Sequence, residues 1–340
     1  MKAVIFHEHG GLDVLRYEEV PDPAIGPDEV LLRVKATSVN HLDIWVRRGI
    51  PGISLPHISG SDVAGVVERV GERVEEVELG QRVIANPNLS CGRCEYCLQG
   101  EDSLCVHYKI LGEQVDGGYA ELVKIPGENV IPLPDHVGFE EAAAAPLVFM
   151  TAWRMLISRA RLRPGEDILI LGAGGGVATA AIQIAKLVGA RVFATASTEE
   201  KLEKAKEIGA DEVINYREVE FDREIRGLTA RRGVDVVFDS VGAETWLRSL
   251  RSLAKNGRLV TCGATTGPNP QTDIRYIFWN QLRIIGSTMG STKELLDVLK
   301  LLWAGKLKPV IHKVMPLQEA AEAQRLLEER RAFGKIVLLP

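Results

Sequence analysis

Residues 167–171, Asp-Ile-Leu-Ile-Leu, run directly into Gly172-Ala173-Gly174-Gly175-Gly176-Val177-Ala178 and then into an apolar stretch that ends at Gly189. A short strand without polar alternation must be buried on both faces, and a parallel sheet covered by helices is the arrangement that achieves this. The rhythm repeats downstream: strand 191–196, helix 199–208 closed by Gly209, then strands near 212–214, 234–239, 258–262 and 283–286, with helical spacing between several of them. A doubly wound α/β domain is expected in the second half of the chain. Small residues in its first turn let the backbone approach a pyrophosphate, whose charge meets free N–H groups and the helix dipole. Gly172, Gly174, Gly175, Gly176 and Val177 are therefore candidate dinucleotide contacts. A ligand-free strand-to-helix turn is the plainer reading of such glycines, and the βαβ setting favours the dinucleotide.

The end of the second strand bears on cofactor choice. NAD-binding units place an Asp or Glu about 20 residues past the turn, whereas this chain reads Ala194-Thr195-Ala196-Ser197-Thr198, with no acid before Glu199. Ser197, Thr198 and Lys201 are placed to hold a 2′-phosphate, so NADP(H) is favoured over NAD(H). Beside Glu199 and Glu200, Lys201 also reads as a solvated helix lysine.

At 340 residues and roughly 100 to 200 residues per domain, two domains are expected. Segments 2–6 and 29–36 alternate, and Gly/Pro punctuation recurs through the first ~130 residues, which read as β-rich. Asp135 is a candidate helix cap, and 140–157 reads as helical on either side of Pro146. After Met289 come helices at 293–303 and 317–328 and strands at 310–313 and 335–339, a tail expected to return to the first domain. The expected division is 1–148 with 289–340, and 149–288.

A composition of 46% hydrophobic and 26% charged residues excludes disordered, collagen-like and coiled-coil chains. The net charge of −5, with no Lys/Arg block, speaks against nucleic-acid and membrane-surface partners. The longest apolar run, 142–150, contains Pro146 and falls far short of the ~20 residues that span a bilayer. The first eight residues turn polar too early for a signal peptide, so the cytoplasm is the expected location.

Four of the five cysteines lie together, Cys91, Cys94, Cys97 and Cys105, at intervals of two, two and seven residues. A reducing compartment disfavours disulfides, so metal ligation explains the clustering. Four thiolates on one loop, about 88–108, close a tetrahedral zinc site with no open position, which makes the metal structural; an iron–sulfur cluster uses the same ligand set.

With these motifs in view, the chain resembles the medium-chain dehydrogenase/reductase superfamily, the zinc-containing alcohol dehydrogenase and quinone oxidoreductase family, over essentially its whole length. The resemblance is carried by Gly60-Ser61-Asp62-x-x-Gly65-x-Val67, the four-cysteine loop, Gly117-Gly118-Tyr119-Ala120-Glu121, the glycine turn and Gly334-Lys335-Ile336-Val337-Leu338. It implies a Rossmann sheet inserted into a GroES-like β-barrel catalytic domain formed by both chain ends, an active-site cleft, and a homodimer or homotetramer. The positions matching the three catalytic-zinc ligands of the alcohol dehydrogenases are Asn40, Ser61 and Leu147, and the relay hydroxyl position is Leu42.

Asn40-x-x-Asp43-x-Trp45-x-Arg47 is instead similar to the zinc-free quinone oxidoreductase branch. By that similarity Asn40 orients the nicotinamide or the substrate carbonyl, with Asp43 in the same motif and Trp45 and Arg47 lining the cleft. The resemblance further implies Thr151 at the nicotinamide, Gly263 and Ala264 at its carboxamide, and Lys335 at the pyrophosphate. His41, Asp43, His57 and Asp62 form an alternative, unorthodox metal set. The expected activity is NAD(P)H-dependent hydride transfer to a quinone or an α,β-unsaturated carbonyl. Its rivals are an alcohol dehydrogenase with an altered metal shell and a non-catalytic nucleotide-binding protein.

Overall fold

A computed structural model describes all 340 residues, and the chain divides into two compact units, Met1–Leu147 with Ser291–Pro340, and Val148–Gly290. No helix is long and apolar enough to cross a membrane.

The second unit is built on a six-stranded parallel sheet. Its order is Glu212–Asn215, Arg191–Ala196, Asp167–Ile170, Val234–Asp239, Leu253–Thr261, Arg283–Gly286. Strand order reverses beside Asp167–Ile170, and that reversal creates the crevice at which such sheets bind dinucleotides. Leu169, Phe193, Val237 and Leu259 are fully buried in its core. The strand read from 258 starts at Leu253, and Leu253 and Ala254 are buried with it.

The first unit holds a seven-stranded sheet that runs Val130–Pro132, Arg82–Ala85, Asp62–Val70, Glu29–Ser38, Lys335–Leu339, Ile311–Pro316, with Leu122–Pro126 also paired to Glu29–Ser38. The C-terminal strand thus lies inside this sheet, antiparallel to Glu29–Ser38 and parallel to Ile311–Pro316. A three-stranded sheet pairs Lys2–Phe6 with Arg16–Glu19 and with His57–Ile58.

Two local readings differ from the sequence expectations, and a third, the break of the 140–157 helical segment at Pro146, is met. Asp135 caps no helix; the helix Phe139–Ala143 starts after Gly138, because the backbone at 134–137 is taken by a turn in which the Val137 N–H bonds the Pro134 carbonyl. The apolar segment that follows is two helices, with Pro146 opening the second, Pro146–Trp153, at the position where a missing N–H costs nothing. Within the β-rich region lies a helix, His41–Arg48, stopped by Gly49 at φ +102°.

Candidate active site

Three strand ends of the first unit meet around Asp62. Register pairs Ser38 with Asp62, and the Val39 N–H bonds the Ile336 carbonyl at 2.9 Å, which brings Lys335 beside Asn40. Asp62 is fully buried. Its Oδ1 accepts the Leu147 N–H at 2.9 Å. Its Oδ2 accepts Ser38 Oγ–H at 2.8 Å, Asn40 Nδ2–H at 2.9 Å and Lys335 Nζ at 3.1 Å. The Lys335 ammonium also donates to Asn40 Oδ1 at 2.5 Å and the Val39 carbonyl at 3.0 Å. Buried charges persist only when paired and fully hydrogen-bonded, and both conditions hold here. Lys335, expected at a pyrophosphate, is thus 3% exposed with its ammonium committed inside the first unit.

Asp43 lies one layer behind. Its carboxylate accepts the Asn40 N–H at 2.7 Å, the Gly60 N–H at 3.1 Å and the Tyr119 hydroxyl at 3.0 Å. Burial, opposed by these donors, pushes its carboxyl up to about 6. Asp43 therefore braces the backbone on which Asn40 stands. Trp45 is half-buried with its ring edge-to-face against His41, centroids 5.8 Å apart. Arg47 departs from the expected cleft-lining position: it is 1% exposed and ion-paired with Glu328 on the helix Ala320–Glu328. One helical turn separates Asp43 from Arg47, so both face inward on the same side of His41–Arg48.

Of the positions matching catalytic-zinc ligands, Asn40 and Leu147 both reach Asp62, and Ser61 is buried beside it in sequence, yet this set does not fit a zinc ion. Zinc needs thiolate, imidazole or carboxylate lone pairs. Leu147 offers only a backbone N–H, Asn40 turns its amide N–H toward Asp62, and both Asp62 oxygens already receive donors, one an ammonium. Nor do His41, Asp43, His57 and Asp62 form a set; His57 Nε2 is bonded to the Gly112 carbonyl at 3.1 Å.

The one group of three or more metal-donor side chains within reach of a single ion is Cys91, Cys94, Cys97 and Cys105, whose sulfurs all lie within 4.8 Å of one another. Backbone N–H groups of Cys91 and His107 each reach Cys105 Sγ at 3.3 Å. N–H donors from Cys97 and Val106 hold the Cys94 thiol down at about 6, while burial pushes Cys97 up to about 11. Donated N–H groups and a tetrahedral-sized gap fit a thiolate-bound zinc. The lobe is tied down by Asp102, whose carboxylate accepts the Thr292 N–H at 2.9 Å and its hydroxyl at 2.7 Å.

In the second unit the glycine turn is held by the Gly172 N–H on Thr195 Oγ1 at 3.2 Å and the Gly175 N–H on the Gly172 carbonyl at 2.9 Å. Gly172 has φ +65°, which a side chain would strain. Helix Gly176–Val188 follows, and its first N–H groups have no intrahelical partner. Gly174, Gly175, Gly176 and Val177 are partly or fully exposed. Thr198 caps the next helix, Glu199–Glu207, through Oγ1 and the Lys201 N–H at 3.4 Å, and Ser197 precedes it half-buried. Glu199 is turned to Asn215 at 3.3 Å. Thr151 is buried with Oγ1 3.9 Å from Met289 Sδ. Gly263 and Ala264 lie in the loop after Leu253–Thr261, where a Cβ on Gly242 would meet Ala264 Cα at 2.9 Å.

Sequence reasoning left Ser38, Gly60 and Tyr119 out of the site. Gly60 and Tyr119 stood in motifs that carry the family resemblance and Ser38 at the end of an alternating strand, but none of these signals says what they touch.

Residues 26–135 match the family described as alcohol dehydrogenase GroES-like domain, and residues 176–304 the family described as zinc-binding dehydrogenase. The chain is 33% identical over the full length of both chains to an acryloyl-coenzyme A reductase of Sulfurisphaera tokodaii, and 37% identical, again over both full lengths, to an NAD-dependent alcohol dehydrogenase of Saccharolobus solfataricus. A solved structure titled NAD-dependent alcohol dehydrogenase superposes over the whole of both chains with a TM-score of 0.96 at 49% identity. The chain belongs to the medium-chain dehydrogenase/reductase superfamily, with a GroES-like domain and a Rossmann domain, and is an oxidoreductase.

Proposed function

We propose that this protein reduces the carbon–carbon double bond of an α,β-unsaturated carbonyl compound, an enone or enoyl thioester, with quinones as further acceptors of the same electronic type. The observation that carries this reading is the Asn40–Asp62–Lys335 network, in which Lys335 donates to Asn40 and Asp62 accepts from both, so that the position matching a metal ligand presents an amide N–H instead. Alcohol oxidation must remove a hydroxyl proton as hydride leaves, and a metal with a hydroxyl relay is the usual means. Leu42 and Leu147 supply neither. A conjugated acceptor has no such need, because its oxygen takes the charge and requires only aimed donors.

The bound dinucleotide supplies the hydride. As hydride adds to the β-carbon, the alkene electron pair moves through the carbonyl to its oxygen, where Asn40 Nδ2–H donates to the developing enolate. A solvent proton then completes the α-carbon. Gly172, Gly174, Gly175, Gly176 and Val177 would cradle the dinucleotide's pyrophosphate, and Thr151, Gly263 and Ala264 would hold its nicotinamide end. Cys91, Cys94, Cys97 and Cys105 hold one structural zinc. A relative named acryloyl-coenzyme A reductase supports the acceptor class; one named NAD-dependent alcohol dehydrogenase supports the rival. The decisive experiment is a panel of enones, enoyl thioesters, quinones and simple alcohols. Faster turnover of the unsaturated carbonyls is expected, with Asn40→Ala lowering kcat more than cofactor affinity. Ethanol or secondary-alcohol oxidation that vanishes on chelation and returns with zinc overturns the reading.

NADP(H) is the proposed cofactor, held at its 2′-phosphate by Ser197, Thr198 and Lys201. The support is the strand Arg191–Ala196 ending without an acid and the turning of Glu199 toward Asn215. Lys201→Ala should weaken NADPH more than NADH, by about 10- to 100-fold for one charge-assisted contact. Equal or better use of NADH by the unmodified enzyme sinks this part alone. A homodimer or homotetramer completes the proposal, supported by the edge strand Arg283–Gly286 and the exposed Ile274, Phe278 and Trp279 on the preceding helix.

A further inference from the structure

We infer that Lys335 is the positioning residue of this site: from behind Asn40 it fixes which end of the carboxamide faces the substrate and strengthens the donor presented there. The inference rests on the proposed role of Asn40 as hydrogen-bond donor to the substrate oxygen.

A carboxamide has two ends of nearly equal shape, and its neighbours decide which is which. An ammonium only donates, and a carboxylate only accepts. With Lys335 Nζ at 2.5 Å on one end and Asp62 Oδ2 at 2.9 Å on the other, Asn40 has one permitted orientation, Oδ1 to Lys335 and Nδ2 to Asp62. The reversed amide sets N–H against ammonium and oxygen against carboxylate. Asp62 takes one of the two Nδ2 hydrogens. The other has no acceptor in the chain, so the network leaves one N–H for an oxygen that arrives from outside.

The charge matters as well as the geometry. A cation on Oδ1 draws electron density from the amide and makes its N–H groups stronger donors, an effect that a buried setting preserves. Lys335 is 3% exposed and Asp62 fully buried, so water does not screen it. The same ammonium grips the Val39 carbonyl at 3.0 Å, fixing the residue that leads into Asn40. Lys335 thus acts through Asn40 and touches neither substrate nor cofactor, which separates this role from a pyrophosphate contact.

The test compares Lys335→Met with the double variant Lys335→Met/Asp62→Asn. Three quantities are read: the melting temperature, the NADPH Kd from nicotinamide fluorescence, and kcat and KM on the best substrate of the unmodified enzyme. In Lys335→Met, kcat is expected to fall by about tenfold or more while the NADPH Kd stays within about twofold. Lys335→Met also strands a buried carboxylate and lowers the melting temperature. The double variant removes that stranded charge, so its melting temperature should recover while kcat stays low. Recovery of kcat in the double variant shows that Lys335 only stabilises the fold and overturns the inference. A large rise in NADPH Kd with kcat kept overturns it in favour of the pyrophosphate role. Should the unmodified enzyme prefer alcohols, the proposed function fails, and the same variants measured on the alcohol still decide the role of Lys335.

Discussion

Asp43 sits beneath the Asn40 site, completely buried, and joins the start of the helix His41–Arg48 to Gly60 and Tyr119. Burial keeps its carboxyl protonated up to about 6, against an ordinary 3.8. Between those values the folded chain holds a proton that the unfolded chain has released, so stability falls as pH rises through this window. This contribution is fully present below about pH 4 and lost above about pH 6, and amounts to the order of 3 kcal/mol. Urea unfolding of the wild type and Asp43→Asn from pH 4 to 7 checks it: the wild type should lose stability relative to the variant across the window. A difference that is flat in pH means that Asp43 is ionised throughout. Asp43 was legible as part of an Asn-x-x-Asp motif, and that spacing is also a helix-start signature. Its role behind Asn40 was not legible, because the donors that define it come from residues 60 and 119. The Lys335–Asp62 pair was hidden for the same reason, with 273 positions separating its partners.

Elements were readable where their period is strong and their neighbours are near. The βαβ segments 167–171, 177–188 and 191–196 could be placed within a residue or so, because buried strands, glycine stops and helical stripes agree there. Helix His41–Arg48 was not, since eight residues carry only two turns of pattern inside a run of strands. The cysteine loop is a case where spacing alone located the element and the structure shows why it holds. Thr292 opens the helix Thr292–Trp303, and Asp102 binds it, so the loop is anchored to a helix start. Closing four thiolates on one ion should order the loop about that anchor. Purified chains are expected to carry about one zinc each. Cys94→Ser or Cys97→Ser should release it and lower the melting temperature before NADPH affinity changes, read by metal analysis, calorimetry and fluorescence titration. Two zincs per chain would contradict the metal-free reading of the Asn40 site, and iron would replace zinc in the loop assignment.

On the scale of the whole chain, the two units differ in how they are cut from the sequence. Val148–Gly290 is one continuous stretch with its own six-stranded sheet and its own core. The other unit is discontinuous: Lys335–Leu339 and Ile311–Pro316 form one end of its sheet, next to Glu29–Ser38, so removing 291–340 would strip both strands from that end and take Met315, Leu317, Ala320, Ala323, Leu326, Ile336 and Leu338 out of a core cluster. A continuous segment with a closed core is able to fold alone, whereas a sheet stripped of its end strands and of part of its core exposes unpaired backbone and apolar surface. The fragment 148–290 is therefore expected to melt cooperatively and resist proteolysis, and the fragment 1–147 to do neither. All the proposed dinucleotide contacts, from Thr151 to Ala264, lie inside 148–290, and Lys335 is engaged with Asn40 and Asp62 rather than with cofactor. The fragment should accordingly bind NADPH within about tenfold of the full chain, a difference of about 1.4 kcal/mol or less. Fluorescence titration of fragment and full chain side by side measures this. A well-folded fragment that binds about a hundredfold more weakly would mean that the excluded segments contact the cofactor directly, and Lys335 would be the first residue to test for that contact.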